Sequence, residues 1–407
     1  MTSVQSEIIT RLKKQIKTDR HIIGVAAGSG LTARYAEAGG ADFILALSSG
    51  YFRQRGVSSL AGYLAIANSN QIVMDFARKE IIPAIKEIPT IFGLSATDPM
   101  IHLESYIKEI KENGFAGINN YPTIGLFDGE FRKGLESQGI TFDREVQAIE
   151  IANKQGLLTV AFVFNTEQAI KMIHAGADII CVHLGLTSGG ILGGRQIKSL
   201  QAAKKLAVSI FDACNKVNPE VIKMVYGGPL NKPIDVQFMY DDTKINGFIG
   251  GSAFERIPAE QAILKVTESF KSTLDIHYDA LIQKIIDGIG SNEDYVDFVK
   301  EYIQLHYNEE ITLNELSEIL NLNRSYLSTL FKNKVGVPFQ SYLVQFRMSR
   351  ACEIIKEEKV LLKNVADMVG YTDYVHFSKI FKRTKGMSPK NYANKYKVSK
   401  SYDRMKS

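Results

Sequence analysis

Polar residues and glycines follow directly after a series of short apolar segments in the first two thirds of the chain. Arg53 and His183 are the side chains among them that could contact an anion or exchange a proton. Paired glycines expose backbone N–H groups that can approach a phosphate or a carboxylate. We therefore predict a site for a small anionic metabolite, with the candidate ligand-binding residues Gly28, Ser49, Arg53, Asp98, Asn120, His183, Gly228, Gly251 and Ser252.

Three residues of the same region are candidate catalytic groups. Asp98, His183 and Glu255 carry groups that transfer protons in enzymes. Two of them also have a structural interpretation, because Asp98 precedes Pro99 and could cap a helix, and His183 ends an apolar segment and could be a core histidine. The residues alone leave both interpretations open.

The sequence predicts neither a metal centre nor a disulfide. Its cysteines, Cys181, Cys214 and Cys352, have no CxxC or other metal-ligand spacing and lie in apolar segments. Such residues are typical of cores in a reducing compartment. No apolar run approaches the roughly 18–20 residues that span a bilayer, and the N-terminal residues lack the apolar core of a signal peptide. We therefore expect a cytoplasmic protein without a membrane partner.

Eight apolar segments alternate with helical patterns over the first 275 residues, and they favour a barrel. The segments are almost continuously apolar, as parallel strands buried on both faces are. Eight β–α units in about 250 residues are typical of a closed (β/α)8 barrel. An open doubly wound sheet is the alternative, but no GxGxxG motif opens a helix. The predicted strands are 21–28, 41–50, 89–97, 114–120, 157–164, 177–185, 221–228 and 245–254.

The charge distribution separates the end of the chain from its body. Of the 407 residues, 45% are hydrophobic and 23% are charged, a composition that excludes a disordered or fibrous chain. Residues 1–290 hold 30 basic and 30 acidic side chains, whereas residues 321–407 hold 18 basic and 6 acidic ones. This excess of positive charge predicts a module that binds a polyanion, and double-stranded DNA is the favoured partner.

Two helix-turn-helix patterns follow one another in the last part of the chain. Thr312 and Glu315 form a capping box before an apolar stripe, and a second helix follows a short turn. Residues 360–386 repeat the arrangement of residues 311–336. We therefore predict a barrel at 1–275, a linker at 276–294, an all-α DNA-binding domain at 295–396 and a basic tail at 397–407.

The predicted DNA contacts are the side chains that face away from the apolar stripes. Basic residues among them suit contacts to phosphates, which fix position rather than sequence. The set comprises Arg324, Ser325, Tyr326, Ser328, Thr329, Lys332, Arg347, Tyr374, Val375, His376, Ser378, Lys379, Lys382 and Arg383.

The first region contains the runs SSGYFRQRGVSSLAG, NNYPTIGLFDGEFR, HLGLTSGG and GGSAFERIP. With these it resembles the phosphoenolpyruvate hydrolase-like TIM-barrel family over roughly residues 4–274. The resemblance implies a fold related to the phosphoenolpyruvate and pyruvate enzymes, which often oligomerise, so we expect a homo-oligomer. Those enzymes usually hold a divalent metal with carboxylates. The cofactor is therefore left unknown and a divalent metal stays open, but only Asp98 and Asp128 are candidate ligands and no acidic cluster supports it. The matched positions include Gly28, Ser49, Arg53, Asp98, Asn120, Pro122, Asp128, His183, Gly228, Ser252, Glu255 and Arg256.

The second region carries its duplicated unit and the run FKRTKGMSPKNY, from Phe381 to Tyr392. With these it resembles the AraC/XylS-type DNA-binding domain over roughly residues 292–396. The resemblance implies that the second helix of each unit enters the major groove, in successive segments on one face of DNA. It places base-reading positions at Ser325, Ser328 and Thr329, which lack bidentate donors, and at Tyr374, Val375, His376, Ser378 and Lys379.

Three functional hypotheses follow from these features. We favour a transcription regulator of the AraC family whose barrel senses a small anionic metabolite, in line with the differential binding that allostery requires. The alternative is a bifunctional lyase or hydrolase that acts on a keto or enol acid. A third hypothesis is a barrel that serves only as an oligomerisation scaffold.

Overall fold

The computed structural model describes residues 4–194, 199–271, 292–357 and 360–395. The chain divides into two compact units, of which the first contains the N-terminal two thirds and the second the C-terminal helices; the short segments 199–202 and 233–243 group with the second. The predicted domain boundary at 275, most of the predicted linker and the predicted basic tail lie outside the described residues.

Eight parallel strands of the first unit close into a barrel in chain order, β1 to β8, with β8 paired to β1. This confirms the closed barrel and excludes the open sheet. Each strand lies within its predicted segment but is shorter. The strands are β1 Ile22–Ala27, β2 Phe43–Ala46, β3 Thr90–Gly93, β4 Gly117–Asn119, β5 Leu158–Val163, β6 Ile179–His183, β7 Ile222–Tyr226 and β8 Gly247–Gly250.

The barrel core consists of alternate strand residues that pack together. Leu45, Phe162 and Met224 are fully buried members of this cluster, and Leu12 of the N-terminal helix belongs to it as well. Strand residues of the opposite orientation, such as Ile44, are also fully buried, because helices cover the outside. Burial of both faces explains why the strand segments are apolar without alternation.

Helices connect the strands, and polar side chains cap several of them. Ser29 accepts a hydrogen bond from the Thr32 N–H, and Asn165 accepts one from the Gln168 N–H. The helices of this region are α1 Val4–Lys17, α2 Gly30–Ala38, α3 Ser48–Gln54, α4 Ser69–Phe76, α5 Leu103–Glu112, α6 Gly129–Ser137, α7 Phe142–Lys154, α8 Thr166–His174, α9 Leu200–Val217, α10 Pro233–Tyr240 and α11 Arg256–Lys271.

The second unit repeats one helical arrangement. Its helices after the barrel region are α12 Asn292–His306, α13 Leu313–Ile319, α14 Arg324–Val335, α15 Phe339–Glu357, α16 Leu362–Met368 and α17 Tyr374–Lys385, followed by a helical segment at 389–395. The pairs α13–α14 and α16–α17 are the two predicted helix-turn-helix motifs. Thr312 caps α13, since its hydroxyl accepts from the Glu315 N–H at 3.1 Å.

The second helices of the two motifs, α14 and α17, are built alike from cap to cap. Asn323 and Asp373 each accept hydrogen bonds from two backbone N–H groups at the helix start. Gly336 and Gly386 end the helices with φ values of 88° and 75°, a conformation that favours glycine. Apolar residues of both helices, Phe331 in α14 and Phe381 in α17, are fully buried.

Candidate functional site

The predicted ligand-binding residues of the barrel lie at the carboxyl ends of the strands. A closed parallel barrel brings these ends to one rim. Ser49 and Arg53 lie on α3 directly after β2, so the predicted second strand ends earlier than expected, and His183 is the last residue of β6. The other buried candidates are Gly28, Asn120, Gly228, Gly251 and Ser252. We use the term rim for this edge of the barrel together with the buried candidates that lie on it.

A buried ion pair joins Arg53 to Glu255, which lies between β8 and α11. The Nε and Nη2 atoms of Arg53 donate to Glu255 Oε2 at 3.1 and 2.8 Å, and each side chain is 1% exposed. The second oxygen of Glu255 accepts from the backbone N–H of Gly28. Burial alone would lower the pKa of Arg53, but the Glu255 carboxylate raises it above its ordinary value, so Arg53 stays charged.

Most of the hydrogen-bonding capacity of Arg53 is used within the protein. Its Nη1 atom donates to Ser49 Oγ at 3.2 Å, and Nη2 donates also to the Ala26 carbonyl oxygen at 2.6 Å. A Cβ at Gly251 would lie 3.0 Å from Nη2, so this glycine leaves space for the guanidinium group. An anion at the rim would therefore have to share Arg53 with Glu255, whose carboxylate holds the arginine rather than standing free for proton transfer.

His183 lies among aromatic rings and is uncharged. Its ring centroid is 5.3 Å from that of Phe162, 4.9 Å from that of Phe164 and 4.8 Å from that of Tyr226. Burial lowers its pKa to about 3. The Gly185 N–H donates to His183 Nδ1 at 3.1 Å, which assigns the proton of the neutral ring to Nε2. At neutral pH the ring accepts this hydrogen bond at Nδ1 and can donate another through its Nε2–H, but it cannot act as a cationic acid.

Asp98 organises the loop after β3. Its Oδ2 atom accepts from Asn68 Nδ2 at 2.7 Å and from Asn70 Nδ2 at 3.1 Å, and Oδ1 accepts from the Met100 N–H at 2.9 Å. Asn70 in turn accepts from the Ser95 N–H at 2.8 Å. Asp98 therefore links the loop after β3 to the N-terminal end of α4, where Asn68 and Asn70 lie.

Two rim glycines are required by the backbone. A Cβ at Gly28 would lie 2.0 Å from the carbonyl oxygen of Gly50, so only glycine allows this close approach. Gly228 has a φ of 61°, and a Cβ there would lie 2.8 Å from the Leu184 carbonyl oxygen. Ser252 starts the turn into α11, where its carbonyl oxygen accepts from the Ile257 N–H at 2.9 Å.

Sequence reasoning missed one buried carboxylate of this region, Glu145 on α7. It accepts hydrogen bonds from Asn120 Nδ2 at 2.6 Å, from Thr123 Oγ1 at 2.8 Å and from the Ile124 N–H at 2.8 Å. Burial raises its pKa to about 7. A signal was present, because Glu145 occupies a position in the apolar stripe of α7 together with Phe142 and other buried residues.

Three of the sequence predictions concern metal ligands, membrane-spanning helices and cysteines. Among these residues, no three His, Cys, Asp or Glu side chains are grouped so that they could hold a metal ion. None of the described helices is both long and apolar enough to cross a membrane. Cys181, Cys214 and Cys352 are buried free thiols.

Most of the predicted DNA contacts lie exposed on α14 and α17. On α14, Arg324, Ser325, Tyr326, Ser328, Thr329 and Lys332 are exposed, and on α17, Val375, His376, Lys379, Lys382 and Arg383 are exposed. Ser378 and Tyr374 are partly buried, and the Tyr374 ring packs against Phe377 with centroids 6.1 Å apart. Residues of both motifs, including Arg324 and His376, line an open groove of about 990 Å³.

Arg347 is placed differently from the expectation of a phosphate contact. The residue is 8% exposed, and its Nε and Nη2 atoms donate to the carbonyl oxygens of Tyr307 and Glu309 at 2.7 and 2.5 Å. Its guanidinium carbon lies 5.3 Å from the ring centroid of Tyr371. Arg347 therefore connects the chain after α12 to the second motif, and most of its surface is buried.

The two units define a (β/α)8 barrel combined with an AraC-type helix-turn-helix domain. Residues 7–273 match the phosphoenolpyruvate hydrolase-like family, and residues 316–395 match a helix-turn-helix domain family. Since the first match covers more than half of the chain, the chain belongs to the phosphoenolpyruvate hydrolase-like family. Both resemblances seen in the sequence are thereby confirmed.

Two curated relatives match about two thirds of the chain. The chain is 41% identical over 266 residues to the ToMV susceptible protein tm-1(GCR26) of Solanum lycopersicum, covering 65% of this chain and 35% of that protein. It is 37% identical over 269 residues to y4pA of Sinorhizobium fredii, whose name marks a candidate transcriptional regulatory protein, covering 66% of this chain and 44% of that protein. The chain thus spans less than half the length of these curated relatives.

Among solved structures, the C-terminal domain of AraT, a response regulator from Geobacillus stearothermophilus, is 32% identical. The match covers 25% of this chain and 84% of that chain, with a TM-score of 0.25.

Replacing Glu145 with Gln should flatten the pH dependence of stability. The raised pKa means that the folded protein holds a proton which the unfolded chain releases above about pH 4.5. Glu145 therefore reduces stability as the pH rises from about 4.5 to about 7, by up to about 3 kcal/mol. Urea unfolding between pH 5 and 7.5 measures this change. The control is Glu150→Gln at an exposed position of α7, and equal slopes in both variants would contradict the assignment.

Proposed function

We propose that the protein is a DNA-binding transcription regulator whose barrel senses a small anionic metabolite. The observation that carries the DNA-binding part is the duplicated pair α14 and α17, which begin at equivalent caps, Asn323 and Asp373, and present exposed polar side chains. A recognition helix of a helix-turn-helix motif contacts base edges through such residues. The excess of basic residues in 321–407 supports attraction to the phosphate backbone.

The rim of the barrel supports binding of a small anion more than turnover. Arg53 supplies the positive charge, and Ser49 supplies a hydroxyl beside it. A carboxylate or phosphate that shares Arg53 with Glu255 would form charge-assisted hydrogen bonds. The neutral ring of His183 and the engaged carboxylate of Asp98 offer little for proton transfer. We therefore rank sensing above catalysis on a keto or enol acid.

Regulation of transcription by this chain would take place in the cytoplasm, and we propose that it acts there as a homo-oligomer. The buried free thiols fit a reducing compartment. Large apolar side chains lie on the surface of the first unit, with Leu31 at 70% and Tyr35 at 68% exposed on α2 and Ile263 at 66% exposed on α11. Exposed apolar surface of this kind is typical of sites that contact another protein.

Removal of two basic residues from α17 should weaken binding to duplex DNA and reduce its salt dependence. The variant Lys382→Ala/Arg383→Ala removes two exposed charges, so the slope of log affinity against log salt should become shallower by about 2. The dissociation constant for duplex DNA is measured by fluorescence anisotropy at salt concentrations from about 50 to about 300 mM.

The matched control for this pair is Arg78→Ala/Lys79→Ala, which removes an exposed arginine and an exposed lysine from the barrel region. Its salt slope should equal that of the wild type. Wild-type protein that has no salt-sensitive affinity for duplex DNA would contradict the proposed function.

A panel of small carboxylates and phosphates should contain a compound that stabilises the protein and alters its affinity for DNA. Binding to the folded state raises the melting temperature, and reciprocity requires DNA to change the affinity for the compound by the same factor. Ser49→Ala should weaken this effect, because the hydroxyl lies next to Arg53. Ser137→Ala, at an exposed site on α6, serves as control. A panel without any effect on melting or DNA affinity would argue against the sensor.

Light scattering should give the purified protein a mass that is a multiple of 45.3 kDa. A charge at the exposed apolar position Ile263 should reduce this mass, because it would be desolvated in a subunit contact. The variant Ile263→Glu is compared with Thr267→Glu at another exposed position of α11. A wild-type mass of one chain would show that the protein is a monomer.

A further inference from the structure

The second helices of the two motifs, α14 and α17, have the same length and equivalent caps but different exposed side chains. Position by position, α14 runs RSYLSTLFKNKVG and α17 runs YVHFSKIFKRTKG, with the final glycine of each run at the cap. Two fully buried positions correspond, Leu327 with Phe377 and Phe331 with Phe381, and a lysine follows the second of them in both helices. Three exposed positions of the first two turns differ: Ser325, Tyr326 and Thr329 in α14 correspond to Val375, His376 and Lys379 in α17.

Val375 is the apolar member of the exposed face of α17. The residue is 58% exposed, so it contributes little to the core of the unit. It lies one turn before Lys379, at i and i+4, and therefore on the same helix face. The backbone N–H of Val375 donates to Asp373 Oδ1 at 2.8 Å, and that of His376 donates to Asp373 Oδ2 at 3.2 Å. The first turn of α17 thus has a fixed geometry.

A solvated valine here has no benefit for the helix itself. A β-branched side chain has lower helix propensity than a straight one, and the equivalent residue of α14 is Ser325, a small polar side chain. The N-terminal residues of a recognition helix are the ones that meet base edges in the major groove. The apolar group that DNA presents there is the C5 methyl group of thymine.

We propose that Val375 determines specificity by packing against a thymine methyl group in the half-site that α17 contacts. This inference rests on the proposed DNA-binding function. Lys379 and Lys382, which are exposed further along the same helix, supply charge but no apolar contact. The half-site of α14 carries no equivalent requirement, because Ser325 offers a hydroxyl group instead of two methyl groups.

The experiment compares thymine with uracil in a bound duplex. A binding site is first selected from random duplexes with the full-length protein, and each thymine is then replaced in turn by deoxyuridine, which removes only the C5 methyl group. Wild type, Val375→Ser and Val57→Ser are compared. The Ser variant at 375 copies the residue of α14, and Val57 is a second exposed valine, at 42%, in the barrel region.

For wild type and Val57→Ser we expect one thymine whose replacement lowers affinity about fourfold, the loss expected when one methyl group is no longer removed from water. Val375→Ser should bind both duplexes equally, with an affinity close to that of wild type for the uracil duplex. Circular dichroism and the melting temperature should match those of wild type, because the side chain is exposed.

Several outcomes would overturn the inference. The first is that Val375→Ser loses as much affinity as wild type when any thymine is replaced by deoxyuridine. The second is that wild type loses no affinity at any thymine. The third is that Val375→Ser does not fold. Unchanged DNA affinity and thymine preference combined with lost activation of transcription in vitro would assign Val375 to a protein contact instead. If random selection yields no bound duplex at all, the proposed function fails as well, which distinguishes the two failures.

Discussion

Closure of the parallel sheet is the constraint on which the first unit depends. A closed sheet has no free edge, and all its strands point the same way, so the loops that follow them meet at one rim. Arg53 and Glu255 come from opposite ends of the barrel sequence and form a buried ion pair there because β1, β2 and β8 are neighbours. Breaking such a pair leaves an uncompensated charge in the core. Substitution of Arg53 or Glu255 alone is therefore expected to destabilise the barrel.

Charged side chains occur in two settings, buried in the barrel of the first unit and exposed on α14 and α17 of the second. In the first, charges that enter the core meet a partner or lose their charge: Arg53 faces Glu255, and burial keeps His183 neutral. In the second, several basic side chains are exposed to water and available to a polyanion, among them Arg324 and Lys332 on α14 and Lys379, Lys382 and Arg383 on α17. The chain thus combines a body without net charge over residues 1–290 with an excess of basic residues over residues 321–407.

The sequence predicts the elements better than the contacts of individual side chains. The eight strands and both helix-turn-helix motifs could be located because their apolar periods and caps are local signals, as at Thr312. The burial of Arg347 could not be predicted, because it depends on carbonyl groups of Tyr307 and Glu309 that only the folded unit brings near. Likewise, the apolar pattern predicts a second strand up to residue 50, whereas β2 ends at Ala46 and α3 begins at Ser48, so Ser49 lies on a helix.

The tandem arrangement of α14 and α17 has a consequence for orientation. Two identical subunits that each carry one reading helix meet a palindrome and cannot tell its two directions apart. Here the two helices differ in sequence and occur in one polypeptide in a set order. If the protein binds DNA as we propose, a single copy would recognise an asymmetric stretch of duplex and bind it in one direction, without a second molecule.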